Sequence, residues 1–391
     1  MRRARRGRTA RPLAAVLAAA LIVAACGGGD EPVPDVEEAA DPDPADTDAA
    51  DGDGDGDAPD AEVPDADDEA EDDPGSDDPE APDASADDAD AEPPVDPAEV
   101  GADELGVVPV LMYHQLREDG GSVYDMTPEE YRAELEWLFE EGFRPITTSQ
   151  LARGEIDVPA GTMPVVLTYD DSTASQAQLT EDGQLDPDTA LGMLVEIAAR
   201  YDDAEPRASV YVISGSLFGG TAAGEQVLEV LHGHGMELGN HTHTHPSLAS
   251  IDAESVREEL ATNVAVVTDL VADAEVTTLS LPLGIWPEPR ELAVAGSFAS
   301  VGEYEHEGVL LVGSNPAPSP FHAEFDPLAI PRIRTSVDAD AEYESAWWFE
   351  VMASSERWRP YVSDGNPATI SFPADRAEEL DPAHAERANP Y

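Results

Sequence analysis

The chain has 391 residues with 84 acidic and 20 basic side chains, a formal net charge of -64, and every basic residue is arginine. That balance excludes a nucleic-acid partner, which would require a basic surface. A sole cysteine, Cys26, excludes a disulfide framework, and the length allows one large domain or two ordinary ones only if all of it folds.

In chain order, the N-terminus reads "MRRARRGRTARP" and then "LAAVLAAALIVAAC", a basic region followed by an apolar run too short to span a bilayer comfortably. This is the pattern of an export signal. The small residues before Cys26 resemble the lipobox of bacterial lipoproteins. That resemblance implies a signal peptide over residues 1–26, cleavage before Cys26, lipid on its thiol, and a domain held outside the cytoplasm on a membrane; plain secretion and an uncleaved anchor are the alternatives. From Asp30 to Glu104 the chain is almost entirely Asp, Glu, Ala, Pro and Gly, without one basic residue. Self-repulsion and the lack of core material predict a disordered acidic linker over residues 27–104. At about 3.3 Å per residue, a tether of about 75 residues reaches roughly 250 Å when stretched. Within it "DGDGDGDAPDAE" meets the spacing of an EF-hand calcium loop, but Pro59 and the absence of flanking amphipathic helices exclude that reading.

Over residues 105–391 the texture changes. "LGVVPVLMYH" predicts a buried strand, "TPEEYRAELEWLFEEGF" a helix with Thr127 as N-cap and Pro128 at its first position, and "MPVVLTYDD" a second strand. "DPDTALGMLVEIAARY" predicts a helix, "ASVYVIS" a strand, "GEQVLEVLHGHG" a helix closed by Gly235, and "MELGN" a short strand. "DAESVREELATNVAVVTDLVADA" predicts a long helix, "TTLSLPLG" a strand, and "GVLLVG" and "LAIPRIRT" late strands. The alternation argues for an α/β fold with a parallel sheet, doubly wound or closed into a barrel, and no Gly-rich phosphate loop accompanies it.

Asp170 and Asp171 end the strand "VVLTYDD", where such folds place reactive groups. Neighbours on a strand point to opposite sides, so one carboxylate can bind a cation while the other faces a water; the plainer reading is a helix N-cap. At the end of another predicted strand stands "GNHTHTHPSL". Imidazoles are good ligands for zinc-like metals. An extended segment would put His241, His243 and His245 on one face, whereas a helical turn would join only His241 and His245; spacing alone leaves both open.

"LTYDDS" followed by "NHTHTH" resembles the paired motifs of the NodB-type polysaccharide deacetylases, carbohydrate esterase family 4, and "PVLMYHQL", with Tyr113 and His114, is similar to the first strand of many members. The resemblance covers most of residues 105–391. It implies a distorted (β/α) barrel and metal-dependent removal of N-acetyl groups from an extracellular or cell-wall polysaccharide, with a divalent metal such as zinc. Carried over, the pattern makes Asp171, His241 and His245 the metal ligands and Asp170 the catalytic base, with His243 at a free position. Ser172 and Tyr169 replace the family's usual Gly and Phe. The third motif is "SLPLG", in which Ser280 stands where an arginine would pair with the base and Leu283 replaces an aromatic. Arg332 or Arg334 in "IPRIRT" is the candidate substitute, with ordinary surface ion pairs as the plainer reading. No late Leu-x-His motif supplies a general acid, which leaves His114, His322 and His306 as positional candidates. His232 and His234 read as a polar helix end, and Trp347 and Trp348 as core packing rather than sugar platforms. The alternative functions are a catalytically weak metal-containing carbohydrate-binding protein and a hydrolase of another amide or ester.

Overall fold

The computed structural model describes residues 95–220 and 222–391; the expected signal peptide, Cys26, the calcium-loop pattern and the expected linker up to residue 94 lie outside them. The folded unit begins before Leu105, which shortens the expected linker. Asp96 caps a short helix, α1 (Pro97–Val100), by accepting from Ala98 N. Ala102, Asp103 and Glu104 are buried. Glu104 accepts from Tyr361 Oη at 3.0 Å, Asp364 N at 3.3 Å and Ser371 N at 2.7 Å. The composition of the acidic run conceals this, because an Asp–Glu pair reads as tether until its distant donors are known.

The remaining elements are β1 (Val110–Tyr113), α2 (Pro128–Glu140), β2 (Phe143–Ile146), α3 (Thr148–Arg153), β3 (Met163–Tyr169), α4 (Ala190–Ala198), β4 (Ser209–Val212), α5 (Ala222–Gly233), β5 (Glu237–Asn240), α6 (Ala253–Leu270) and β6 (Thr278–Ser280). There follow β7 (Ala295–Phe298), β8 (Gly302–Glu305), β9 (Gly308–Leu310), β10 (Ile333–Arg334), α7 (Ser345–Ser354), β11 (Ile370–Phe372) and β12 (Ala388–Pro390). α2 starts where the sequence places it: Thr127 accepts from Glu130 N, the Glu130 carboxylate accepts from Thr127 N, and Pro128 opens the first turn.

The main sheet is parallel, in the order β10-β1-β3-β4-β5-β6-β9, with β2 also paired to β3. Ile330 bridges in parallel to Leu310, and three residues later Ile333 pairs with Leu111, so this segment joins β9 back to β1 and closes a distorted (β/α) barrel. Helices α2, α4 and α5 cover the outside through a cluster that includes Tyr131, Leu135, Leu191, Leu194, Val227 and Leu228, and α6 packs with β6 and β9 through Val256, Leu260, Leu279 and Val309. β2 and the β7–β8 hairpin were not expected from the sequence. Pro145 reads as a strand breaker, yet β2 pairs only with β3, so proline is tolerated there. Among the described residues no helix is long and apolar enough to cross a membrane.

Candidate active site

Alternation along β3 packs Val165, Leu167 and Tyr169 outward and leaves Val166, Thr168 and Asp170 on the barrel side. The carboxylate of Asp170 is gripped there by Arg332, which follows Pro331 at the start of the closing strand and is fully buried. Arg332 Nη1 donates to Asp170 Oδ1 at 2.8 Å and Nη2 to Oδ2 at 2.9 Å, while Nη1 also reaches Thr168 Oγ1 at 3.3 Å and Nε donates to the Leu311 carbonyl at 2.8 Å. The planar fork is thereby fixed in direction as well as in charge. Ser280 Oγ donates to Asp170 Oδ2 at 3.0 Å. Burial pushes the Asp170 carboxyl up, but the charges of Arg332 and His241 and the Arg332 hydrogen bonds outweigh it and hold the group well below the usual carboxylate range.

The alternation stops after Tyr169. Asp171 and Ser172 take left-handed backbone angles, φ 78° and 44°, which cost a non-glycine residue on the order of 1–3 kcal/mol and need outside support. Ser172 provides it, with Oγ accepting from Ile213 N at 3.1 Å and its carbonyl from Phe218 N at 2.8 Å. The turn brings both carboxylates to the same imidazole instead of to opposite faces: His241 Nε2 lies 4.0 Å from Asp170 Oδ2 and 3.5 Å from Asp171 Oδ1.

His241 Nδ1–H donates to the Ser280 carbonyl at 2.8 Å, which leaves the Nε2 lone pair aimed at Asp171. His245 Nε2 is 3.6 Å from the same Asp171 oxygen. Ligands about 2.0–2.2 Å from one tetrahedral ion lie about 3.3–3.5 Å apart, so these separations suit a zinc-like cation. Asp171, His241 and His245 each offer one donor atom, all within 4.8 Å of one another. Burial raises the Asp171 carboxyl, but His241 outweighs this and lowers it; burial lowers His241, but the two aspartates outweigh this and raise it; burial and the charge of His241 lower His245. His243 turns away, sharing a hydrogen bond between Nδ1 and Ser214 Oγ at 2.9 Å. Left-handed angles at Thr242 and His245, φ 64° and 61°, make the segment neither an extended strand nor a helix.

His114 stands on the other side of Asp170, its Nε2 4.0 Å from Oδ2. Burial lowers its pKa despite the two aspartates, and its Nδ1 is buried without a hydrogen-bond partner. Its ring lies 5.1 Å from that of Tyr124. The other candidates fall elsewhere. Arg334 pairs with Glu344 and covers the Tyr124 ring. His322 Nε2 faces Glu379 at 3.4 Å and its Nδ1 accepts from Glu324 N, so its ring is engaged by the Glu379 carboxylate and a backbone N–H rather than by Asp170. His306 is a satisfied core residue between the Ala293 carbonyl and Asn240 Nδ2, and burial brings it down to about 4. Trp348 is buried and donates to the Ser314 carbonyl, and Trp347 packs edge-on against it, as core residues do. Leu283 is exposed.

One contributor, Gln176, carries no signal in the sequence, and Ser280 enters there only as the replacement of an arginine. Gln176 donates through Nε2 to the carbonyls of His114 and Asp170, locking the ends of β1 and β3 together, and Ser280 sets the His241 tautomer through its backbone. A lone Gln in a turn has no spacing rule to betray it.

Residues 157–295 match the family model described as polysaccharide deacetylase. A protein of Bacillus subtilis (strain 168) named "Putative polysaccharide deacetylase YxkH" is 21% identical over 200 residues, which cover 49% of this chain and 62% of its own length. Among solved structures, the Streptococcus pyogenes deacetylase PplD in complex with acetate is 20% identical, with 58% of this chain and 92% of that chain covered and a TM-score of 0.45. IcaB from Ammonifex degensii is 17% identical, with 60% and 94% covered and a TM-score of 0.43.

Proposed function

We propose, with residues 157–295 matching the polysaccharide deacetylase family, that this chain hydrolyses N-acetyl groups on an extracellular or cell-wall polysaccharide. The observation that carries the reading is the pairing of a cation-held carboxylate, Asp170 on Arg332, with three donor atoms grouped for one ion at Asp171, His241 and His245. A divalent cation such as zinc held by those three residues would supply Lewis acidity toward the acyl oxygen and toward water. Asp170, kept ionised by Arg332, takes a proton from the attacking water as its oxygen bonds to the acyl carbon. The carbon–nitrogen bond then breaks as His114, which enters this step as the imidazolium despite its lowered pKa, delivers a proton to the departing amine, giving acetate and a free amine. Asp170 then returns its proton to His114 by way of an intervening water, since His114 Nε2 lies 4.0 Å from Oδ2, and both groups are restored.

The test is acetate release from chitin oligomers and peptidoglycan by zinc-loaded and chelator-stripped protein. Release that requires metal and disappears in the Asp171→Ala/His241→Ala double variant supports the reading; bound zinc and glycan retention without acetate would instead favour a binding protein. The lipid anchor at Cys26 belongs to the same proposal, and the supports for it are the lipobox-like junction and the acidic run behind it. Its check is membrane fractionation of wild type against Cys26→Ala, with release of the variant into the soluble fraction expected.

A further inference from the structure

In the stretch from Asn240 to His245, Asn240, Thr242 and Thr244 are bound to α6, while His241 and His245 face the candidate ion and His243 turns to Ser214. Asn240 Nδ2 donates to the Leu260 carbonyl at 3.1 Å and its Oδ1 accepts from Thr242 N at 2.8 Å. The Thr242 carbonyl accepts from Asn263 Nδ2 at 2.7 Å, and the same amide donates to the Val212 carbonyl at 2.7 Å, tying the ligand loop to the end of β4. Thr244 gives both its N–H and its hydroxyl to Glu259, at 2.7 and 2.6 Å. Thr242 Oγ1 in turn accepts from His245 N at 2.9 Å. Glu259 and Asn263 are four apart, hence on one face of α6. That helix is seated in the core by Val256, Leu260 and Val267.

We propose that α6 is a positioning clamp for the ligand loop, with Asn263 and Glu259 acting through Thr242 and Thr244 to hold His241 and His245 at the spacing of one ion. The proposal rests on the reading that these histidines and Asp171 bind a divalent cation. Thr242 and His245 both have left-handed backbone angles, which persist only where the surroundings over-determine them. Asn263 is fully buried and spends both amide hydrogens on carbonyls, so an acceptor in its place meets two oxygens. Hydrogen-bonding partners behind metal ligands set affinity as well as orientation.

The experiment is zinc affinity of the full chain by competition with a chromophoric chelator, with the Tm of the metal-free protein measured alongside. Asn263→Ala is expected to weaken zinc by about 10–100-fold and Asn263→Asp by more. Glu259→Ala should weaken it several-fold, with part of the loss recovered in Glu259→Gln, whose amide oxygen still accepts. Glu258→Ala, at an exposed position of the same helix, should bind as wild type does. Unchanged zinc affinity in folded Asn263→Ala and Glu259→Ala, even with lowered Tm, would reduce the contacts to ordinary fold stability and overturn the clamp. If the Asn263 variants do not fold, the Glu259 pair decides alone. A wild type that binds no zinc removes the cation reading and the clamp with it; zinc binding that is indifferent to the variants removes only the clamp.

Discussion

Arg332 carries a planar charge into the barrel, where Asp170 is its counter-ion and both groups are almost fully buried. Removing one partner of such a pair leaves an uncompensated buried charge, a cost of about 3–5 kcal/mol. Arg332→Ala is therefore expected to lower both Tm and acetate release, the latter by about 100-fold or more if Asp170 is the base. Arg332→Lys keeps the charge without the fork and should fall between. Because the guanidinium holds the Asp170 carboxyl down, its loss should move the acid limb of the kcat/KM profile to higher pH. Arg334→Ala, which removes a contact to Glu344 and Tyr124, should change activity only a few-fold. Full activity in Arg332→Ala would separate the guanidinium from the chemistry. His243 supplies a second residue-level contrast: its ring is committed to Ser214, so His243→Ala should retain zinc where His241→Ala and His245→Ala lose it. Equal loss from all three would restore a three-histidine face.

Residues 95–104 act as an element although their composition is that of a linker. Besides the Glu104 contacts, Asp103 N donates to the Val362 carbonyl, Arg376 Nη1 donates to Asp103 Oδ1 at 2.6 Å, and Tyr391 Oη donates to the Ala102 carbonyl at 2.7 Å. A chain beginning at residue 105 loses all of these. At about 1 kcal/mol for each net hydrogen bond, its Tm should fall clearly below that of a chain beginning at residue 95, as read by thermal unfolding. Equal Tm values would make the segment dispensable. α2 illustrates the opposite case, an element that local signals specify: Thr127→Ala should cost about 1 kcal/mol of stability, through the lost cap, and leave zinc affinity unchanged.

Among the described residues, Glu104 and Glu134 are buried carboxyls that no arginine compensates. Burial pushes both Glu104 and Glu134 up to about 7, from 4.5. Glu134 sits between Tyr113 Oη at 2.8 Å and Ser345 Oγ at 2.6 Å, both donating to it. Both groups bind more protons in the native state than in the unfolded chain over this range, so the stability they contribute is full below about pH 4.5 and is lost as pH rises to about 7, while His306, held down to about 4, acts in the opposite direction. A shift of this size corresponds to at most about 3 kcal/mol for each group. Asp170 acts in the other direction, since its lowered pKa contributes stability above the ordinary carboxylate range that is lost as the pH falls below it. Glu134→Gln should therefore remove a contribution that declines with pH, so that between pH 4.5 and pH 7 the Tm of the metal-free variant changes less negatively than that of wild type. A slope unaffected by Glu134→Gln would mean that this carboxyl ionises in the native state as it does in the unfolded one.

The sequence by itself determined the alternation of β1, α2, β3, α4, β4, α5, β5, α6, β6 and β9, the cap of α2, and the residue types of the site. Each of these is written in local periodicity or in short motifs such as "TYDD" and "HTHTH". It could not decide between two and three grouped histidines, because the choice rests on left-handed angles at Thr242 and His245 that α6 and Ser214 help to hold from a distance. Nor could it tell Arg332 from Arg334: two residues apart, they diverge because one points into a closing barrel and the other toward Glu344. The Asp170–Arg332 pair spans 162 positions. Only the return of the chain from β9 to β1 brings such partners together, and barrel closure is a property of the tertiary structure.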